Sequence, residues 1–262
     1  MEWQDEGVIL GVRRHGETSA IVELMTPGRG RHLGLVRGAR SARMAPVLQP
    51  GNSVQVTWRA RLEDHLGNFA LEGDRLRAAR LMETGIGLYG VQTLATHLRL
   101  LPERDPHSRL YQAALILLEN LDDAEKAARL MIRFELALLD ELGFGLDLSR
   151  CAATGSQENL VHVSPRTGKA VSAEAGAPWA PKLLALPPFL APLAPREPAP
   201  VPVSLRTAIA DGFALTSHFL ERNVHVPRAI RPPDERAGFI KAVLRDLPDP
   251  LLHAERLAMI GD

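Results

Sequence analysis

Residues 18–36, TSAIVELMTPGRGRHLGLV, hold two apolar-rich runs separated by a glycine-rich turn. In the first run, Ala20, Val22 and Leu24 fall on one side of an extended chain, because successive side chains of a β-strand point to opposite faces. Pro27-Gly28-Arg29-Gly30 then supplies residues that reverse the chain direction. The stretch therefore predicts two β-strands, Thr18–Met25 and His32–Val36, joined by a tight turn.

Three further strand candidates flank this pair, namely Val8–Val12, Ser53–Arg61 and Phe69–Glu72. Five short strands suit a small closed barrel of the OB type better than an open sheet, which would leave its edges exposed. The longest connection, Gly38–Asn52, joins the third strand to the fourth and ends in Pro50-Gly51.

Beyond about Arg75 the apolar residues recur at helical spacing. One stripe runs from Leu110 to Leu121, and another runs from Leu130 to Leu142 with Gly143 as its C-cap. Ser204 and Asp234 are predicted to cap two later helices. The sequence thus predicts an α+β fold, with an OB-fold barrel in residues 1–77 and a mainly α-helical domain in residues 78–262.

The segment Cys151–Val203 separates the second and third predicted helices. Its later part, residues 178–202, holds nine prolines. Proline fixes φ and removes a backbone donor, so this part is predicted to be an extended tether or a loop lying on the helices.

The charge pattern of residues 29–61 is one-sided. This stretch contains no Asp or Glu, although the whole chain balances 31 Lys and Arg against 31 Asp and Glu. Its arginines are Arg29, Arg31, Arg37, Arg40, Arg43, Arg59 and Arg61. Such a strip on a strand-rich scaffold favours binding of a polyanion, of which nucleic acid is the commonest. The alternative is a solvated barrel rim with acidic neighbours folded over it.

No motif predicts catalysis, a metal or another cofactor. Residues 85–90, GIGLYG, match the dinucleotide pattern, but the preceding residues read as helical and no βαβ unit follows. The nine histidines show no metal-ligand spacing, and the single cysteine, Cys151, excludes a four-cysteine zinc site. Residues 151–155, CAATG, have the outline of a zinc knuckle in which Thr154 replaces the second thiol. We expect Cys151 to be an ordinary buried thiol.

Neither a secretory signal nor a membrane span is apparent. The first residues are acidic, and no run approaches the roughly 18 apolar residues that a spanning helix needs. We therefore expect a soluble, intracellular protein.

Four stretches together resemble one family, the bacterial recombination mediator RecO. The stretches, in chain order, are GETS at 16–19, GLVRGAR at 34–40 with LQPG at 48–51, RFELALL at 133–139 with LGFG at 142–145, and CAATG at 151–155. They span most of the chain in the family's order.

The resemblance implies an N-terminal OB fold and a helical C-terminal domain. It further implies binding of single- and double-stranded DNA, annealing of complementary strands and assistance to RecA loading in RecF-pathway gap repair, in the cytoplasm near the nucleoid. RecR and the acidic C-terminal tail of single-stranded-DNA-binding protein are the implied partners. Arg37, Arg40 and Arg43 match the family's basic loop. By this resemblance Arg133 falls in the family's tail-binding helix, and Phe134 is expected to line a groove beside it. The alternative is that Arg133 is only a surface ion-pair partner within its helix.

The chain departs from the family where many members carry zinc. Because only Cys151 remains of the cysteine cluster, no zinc is expected. Two other hypotheses remain: an OB-fold protein-interaction module whose DNA contact is incidental, and an unrecognised hydrolase or nuclease with clustered acids or histidines in a cleft.

Overall fold

The computed structural model describes residues 1–192 and 203–248. Five strands come first in the chain: β1 (Glu2–His15), β2 (Ser19–Thr26), β3 (Gly30–Val36), β4 (Ser53–Arg59) and β5 (Asn68–Arg75). Four helices follow: α1 (Ala78–Leu81), α2 (Gly85–Leu98), α3 (Ser108–Glu119) and α4 (Ala124–Glu141). The later elements are β6 (Leu160–Val163), β7 (Ala170–Ser172), α5 (Ala173–Gly176), β8 (Leu184–Ala185), α6 (Leu205–Leu220) and α7 (Asp234–Asp246).

The first five strands form a closed barrel in the order β1-β2-β3-β5-β4. All neighbouring strands pair antiparallel except β3 and β5, which meet in parallel through the single pair Leu35 and Asn68. The α+β fold class, with an OB-fold barrel followed by a mainly helical region, is confirmed. β1 is longer than predicted because its first half pairs with β4 and its second half with β2.

The barrel interior is aromatic at one end. Trp3 and Trp58 stack with ring centroids 5.6 Å apart, and His32 meets both rings edge-on. Phe69 packs directly over Gly34, where an added Cβ would lie 2.5 Å from the ring. The period-2 alternation of β3 therefore places His32 and Gly34 inside the barrel and leaves Arg31 and Leu35 on its outer face.

The GIGLYG stretch opens α2, directly after the short helix α1. Thr84 caps α2 by accepting a hydrogen bond from the Gly87 amide at 3.0 Å. A Cβ on Gly87 would lie 2.1 Å from the Leu81 carbonyl oxygen, and one on Gly90 would lie 2.7 Å from Leu121. Close helix packing accounts for these two glycines, and the pattern follows a helix instead of the strand that a dinucleotide site requires.

The predicted end of α4 at Gly143 and the predicted N-cap of α6 at Ser204 are confirmed. The Gly143 amide donates to the Asp140 carbonyl and the Phe144 amide to the Leu139 carbonyl, with Gly143 at φ +86°, which is the Schellman pattern. Ser204 accepts a hydrogen bond from the Thr207 amide at 3.1 Å and so caps α6. Asp234, predicted as the cap of a later helix, is instead the first residue inside α7.

Residues 151–192 hold more regular structure than expected. β6 pairs with both β7 and β8, which gives a three-stranded sheet in the order β7-β6-β8, and residues 177–182 form a 3₁₀ helix. The prediction of an extended tether is wrong for residues 178–185, because a 3₁₀ turn tolerates the early prolines and β8 finds a strand to pair with. The rest of the proline-rich segment, residues 193–202, lies outside the described residues.

The chain divides into two compact units, residues 1–123 with 233–239, and residues 124–232 with the described residues from 240 onward. The barrel strands end at Arg75 and α1 begins at Ala78, on either side of the predicted domain boundary at residue 77. None of the helices in the described ranges is long and apolar enough to cross a membrane.

Candidate nucleic-acid interface

The seven arginines of residues 29–61 do not converge on one surface. Arg29 comes directly before β3 and Arg31 is its second residue, whereas Arg37 follows its last residue, Val36. At about 3.3 Å per residue, roughly 20 Å of extended chain separates Arg31 from Arg37. The prediction that all seven arginines lie together on one face of the barrel is therefore wrong, and they fall into two groups.

Arg31 belongs to a network of ion pairs. Its guanidinium lies 2.9 Å from Glu23 and 3.2 Å from Glu103, while Arg99 contacts the other oxygen of Glu23 at 2.8 Å. The side chains of Arg31 and Glu23 are only 14% and 13% exposed. The expectation that no carboxylate opposes the arginines is wrong here, because the two acids come from β2 and from the chain beyond α2.

Arg29 contacts the rim of the aromatic cluster. Its guanidinium carbon lies 5.8 Å from the centroid of the Trp3 ring, within the distance of a cation–π contact. Its backbone amide donates to the Thr26 hydroxyl in the β2–β3 turn. Arg29 therefore belongs to the β2–β3 turn and does not line the pocket beside loop 37–52.

The second group of arginines surrounds a pocket of about 650 Å³, here called the loop pocket. Its lining comes from the end of β3, the following loop, the end of β4 and the start of β5. The lining residues are Leu35, Val36, Arg37, Gly38, Ser41, Arg43, Met44, Arg59, Asn68, Phe69, Ala70 and Leu71. Three of the predicted arginines, Arg37, Arg43 and Arg59, thus meet at one site.

The loop of residues 37–52 is anchored to the barrel. Its Ala39, Val47 and Leu48 are buried in the barrel core. The Asn52 side-chain amide donates to the carbonyls of Pro46 and Val47 at 2.9 and 3.0 Å. The loop therefore has a defined shape that can hold its arginines in place.

Arg40 and Arg61 do not line this pocket. Arg40 donates to the Glu17 carbonyl at 3.0 Å and so links loop 37–52 to the β1–β2 turn. Arg61 is exposed in the connection that follows β4.

Arg59 has a carboxylate partner, contrary to the expectation for the strip. It lies 2.9 Å from Glu2, and the two side chains are 66% and 48% exposed. The hydrogen bond lowers the pKa of Glu2 and raises the pKa of Arg59. Exposed pairs of this kind are weak, so a phosphate can compete for the guanidinium.

Sequence reasoning missed Arg13. The strand register places Arg13, Ile21, Leu35, Asn68 and Arg59 in one lateral row across the five strands. Both ends of this row are exposed arginines. A longer first strand paired in register with Thr18–Met25 would have revealed Arg13, but the predicted strand stopped at Val12.

The two residues predicted to bind a partner tail have different surroundings. Arg133 is exposed on α4 and donates to the Phe189 carbonyl at 3.0 Å. Phe134 is only 1% exposed. The prediction that Phe134 lines a surface groove is wrong, because its side of α4 packs into the interior.

The degenerate knuckle at residues 151–155 closes around a buried thiol. The Cys151 sulfur accepts hydrogen bonds from the Ser172 amide at 3.3 Å and the Ser172 hydroxyl at 3.5 Å. Burial raises the pKa of Cys151, but hydrogen bonds from Ser172 and Thr154 outweigh this effect and lower the pKa to about 6. One sulfur surrounded by hydroxyl and amide donors does not fit zinc, which takes four ligands in structural sites.

Within residues 1–192 and 203–248, no three His, Cys, Asp or Glu side chains are grouped so that they could hold a metal ion.

Comparisons with known proteins agree over the whole chain. The family model described as "Recombination protein O N terminal" matches residues 1–71, and "Recombination protein O C terminal" matches residues 86–230. The chain is 55% identical over 262 residues to the "DNA repair protein RecO" of Mesorhizobium japonicum, covering 100% of this chain and 99% of that protein. It is 57% identical over 249 residues to the protein of the same name from Chelativorans sp. (95% and 98% covered), and 56% identical over 245 residues to that of Brucella abortus (94% and 97% covered).

Proposed function

The chain belongs to the RecO family of DNA repair proteins, and from this membership we propose that it is a non-enzymatic mediator of gap repair. In this role it binds single- and double-stranded DNA, anneals complementary strands and assists RecA loading. The proposal includes action in the cytoplasm, in association with the nucleoid.

The observation that supports DNA binding is the grouping of Arg37, Arg43 and Arg59 around one open pocket. Arginine's planar guanidinium suits phosphate oxygens and also stacks on bases. Annealing needs two strands held with their repulsion screened, which a basic surface without base-specific contacts does without a catalytic residue. Arg29 and Arg31 are not part of the proposed DNA-binding site. They lie at the other end of β3, and Arg31 forms ion pairs with Glu23 and Glu103.

The test is the salt dependence of single-strand binding. In the triple variant Arg37→Gln, Arg40→Gln, Arg43→Gln, the slope of log K against log salt should fall by about 0.7 for each phosphate that the protein no longer neutralises. The control is the triple variant Arg109→Gln, Arg150→Gln, Arg166→Gln, which removes the same charge from other exposed positions. Equal slopes for the wild type and a folded loop variant would remove loop 37–52 from DNA binding.

We propose RecR and the acidic tail of single-stranded-DNA-binding protein as partners. The exposed Arg133 is a suitable cation for such a tail. The apolar surface next to it would come from Phe189, whose ring lies 5.2 Å from the Arg129 guanidinium carbon, and not from Phe134. In a pull-down with the acidic tail peptide, Arg133→Glu should reduce capture.

We also propose that the protein works without zinc. The hydrogen bonds from Ser172 hold the Cys151 turn in the absence of a metal. Metal analysis of the purified protein should therefore find zinc far below one equivalent.

The second candidate function is a protein-interaction module with incidental DNA contact. The ion pairs of Arg31 and Arg59 with carboxylates favour this second function, because these pairs reduce the positive charge that the barrel can offer to DNA. This alternative predicts partner complexes that persist at high salt and little annealing by the protein alone.

A further inference from the structure

We infer, on the premise of the proposed DNA binding, that the loop pocket receives an unpaired base of a single strand while the arginines at its mouth hold the adjacent phosphates. Such a pocket would bind single-stranded DNA in preference to duplex DNA, a distinction that a basic surface alone does not make.

The pocket exists because the barrel is incompletely paired at this point. β3 and β5 share only the pair Leu35 and Asn68, and β3 ends at Val36 while β5 continues to Arg75. After Val36 the chain continues as loop 37–52, which does not extend the strand pairing with β5. The gap between the loop and β5 is about 650 Å³, a size typical of small-molecule sites.

The pocket wall combines apolar and polar groups in a way that suits a base. Leu35, Met44 and Leu71 are half-buried and offer apolar surface to the face of a ring. Ser41 and Asn68 bring hydrogen-bonding groups to the same space. Phe69 is the one aromatic residue in the lining, and it is 5% exposed. The wall is therefore mainly aliphatic, and we expect base contact without marked sequence preference.

Cations are available at the mouth. Among the described residues, Arg37 and Arg43 make no side-chain hydrogen bond or ion pair, and Arg59 has only its exposed contact with Glu2. Phosphates on either side of an inserted base can therefore be neutralised without breaking a buried interaction.

Acidic side chains lie in a second cleft next to Arg43. A second cleft of about 320 Å³ shares Arg43, Ala70 and Leu71 with the loop pocket but also contains Asp5 and Glu72. These acids disfavour a phosphate chain in that direction. The strand should therefore run toward Arg37 and Arg59, and the base-binding footprint should be short.

A duplex cannot use this pocket in the same way. Its bases are paired and stacked, and extruding one costs a few kcal/mol. Duplex DNA should therefore contact only the surrounding arginines.

The experiment compares three probes of equal length: oligo-dT, an abasic oligonucleotide with the same phosphates, and a duplex. The wild-type protein should bind oligo-dT about tenfold more tightly than the abasic strand, since the inserted base buries apolar surface and makes hydrogen bonds that the abasic strand lacks. Ala70→Trp places a large ring at the exposed floor of the pocket and should abolish this ratio while leaving abasic and duplex binding within about twofold. Ala42→Trp, an exposed position on the same loop that does not line the pocket, is the matched control and should keep the ratio.

The outcomes separate this inference from the proposed function. Equal binding of oligo-dT and abasic strand by the wild type overturns the base pocket but leaves DNA binding intact, and this comparison needs no variant. Equal weakening of all three probes by Ala70→Trp also overturns it, because the pocket would then be part of a phosphate track. Binding of none of the probes would refute the proposed DNA binding itself.

Discussion

Arg31 and Arg37 show how strongly neighbours decide what an arginine can do. Both belong to the same charge run, yet Arg31 is 14% exposed between Glu23 and Glu103, and Arg37 lies open at a pocket. A charge count along the sequence cannot separate them, because Glu103 is 72 residues away in the chain.

Arg31→Gln should lower stability without affecting DNA binding. The change leaves Glu23, itself largely buried, with Arg99 as its remaining partner, which we expect to cost about 2 kcal/mol of unfolding free energy. Arg37→Gln should change stability by less than about 0.5 kcal/mol. Urea titration measures both. A destabilised Arg37→Gln with an unaffected Arg31→Gln would reverse the two assignments.

His32 should make the barrel sensitive to acid. Burial lowers its pKa from the ordinary value of 6.5. Below pH 6.5 the imidazole binds a proton in the unfolded state but not in the folded state. The free energy of unfolding therefore decreases as pH falls below 6.5, by at most about 1.4 kcal/mol per pH unit. His32→Phe should flatten the change in unfolding free energy between pH 7.5 and 5.5, whereas His15→Gln, at an exposed position, should leave it unchanged. A steep acid dependence retained by His32→Phe would contradict this origin.

At the scale of elements, the chain between α2 and α3 covers the start of β3. The Arg104 amide donates to the Arg31 carbonyl at 2.8 Å, and the Arg104 guanidinium donates to the carbonyls of residues 64 and 65 in the β4–β5 connection at 3.2 and 3.1 Å. This segment thus supplies partners for a strand that β5 meets only at Leu35.

The close approach at Gly30 gives a test of this cover. Gly30 has φ +63°, and an added Cβ would lie 2.0 Å from the Asp105 carbonyl oxygen. Gly16 has nearly the same φ, +62°, with nothing within 4 Å. Gly16→Ala should therefore cost only the backbone strain, about 1 kcal/mol, and Gly30→Ala clearly more. Similar melting temperatures for the two variants would mean that the segment is not closely packed on β3.

Sequence patterns predicted the elements that have a long, regular period. The alternation of Ala20, Val22 and Leu24 located β2, and Gly143 located the end of α4. The three-stranded sheet of residues 160–185 escaped prediction, because strands of two to four residues carry almost no periodic signal. The sequence did not predict the start of α2, because its glycines are unfavourable in a helix and are present only because close helix packing requires them.

For the candidate site, the sequence located the basic loop but not its geometry. Arg37, Arg40 and Arg43 are close in the chain, and their common loop follows from that closeness. The pocket, the separation of Arg29 and Arg31 and the row that ends in Arg13 depend on strand register. Register is a long-range property that no local pattern contains.

At the scale of the whole molecule, zero formal net charge means that the proposed attraction to DNA must come from a local cluster of positive charge. The protein should accelerate annealing of complementary oligonucleotides coated with single-stranded-DNA-binding protein, and removal of the acidic tail from that protein should slow the reaction. The variant Arg37→Gln, Arg40→Gln, Arg43→Gln should lose most of the acceleration, while the Arg109, Arg150, Arg166 control retains it. A fluorescence-quenching assay measures the rates, and full activity of the loop variant would place annealing on another surface.

The stacked indoles inside the barrel have a practical consequence for spectroscopy. Of the three tryptophans, Trp58 is 1% exposed and Trp3 is half-buried against it, whereas Trp179 is 59% exposed. Intrinsic emission should therefore contain a blue-shifted component that iodide barely quenches and a red-shifted one that it quenches readily. The shielded component gives a label-free reading of barrel integrity in every variant described above.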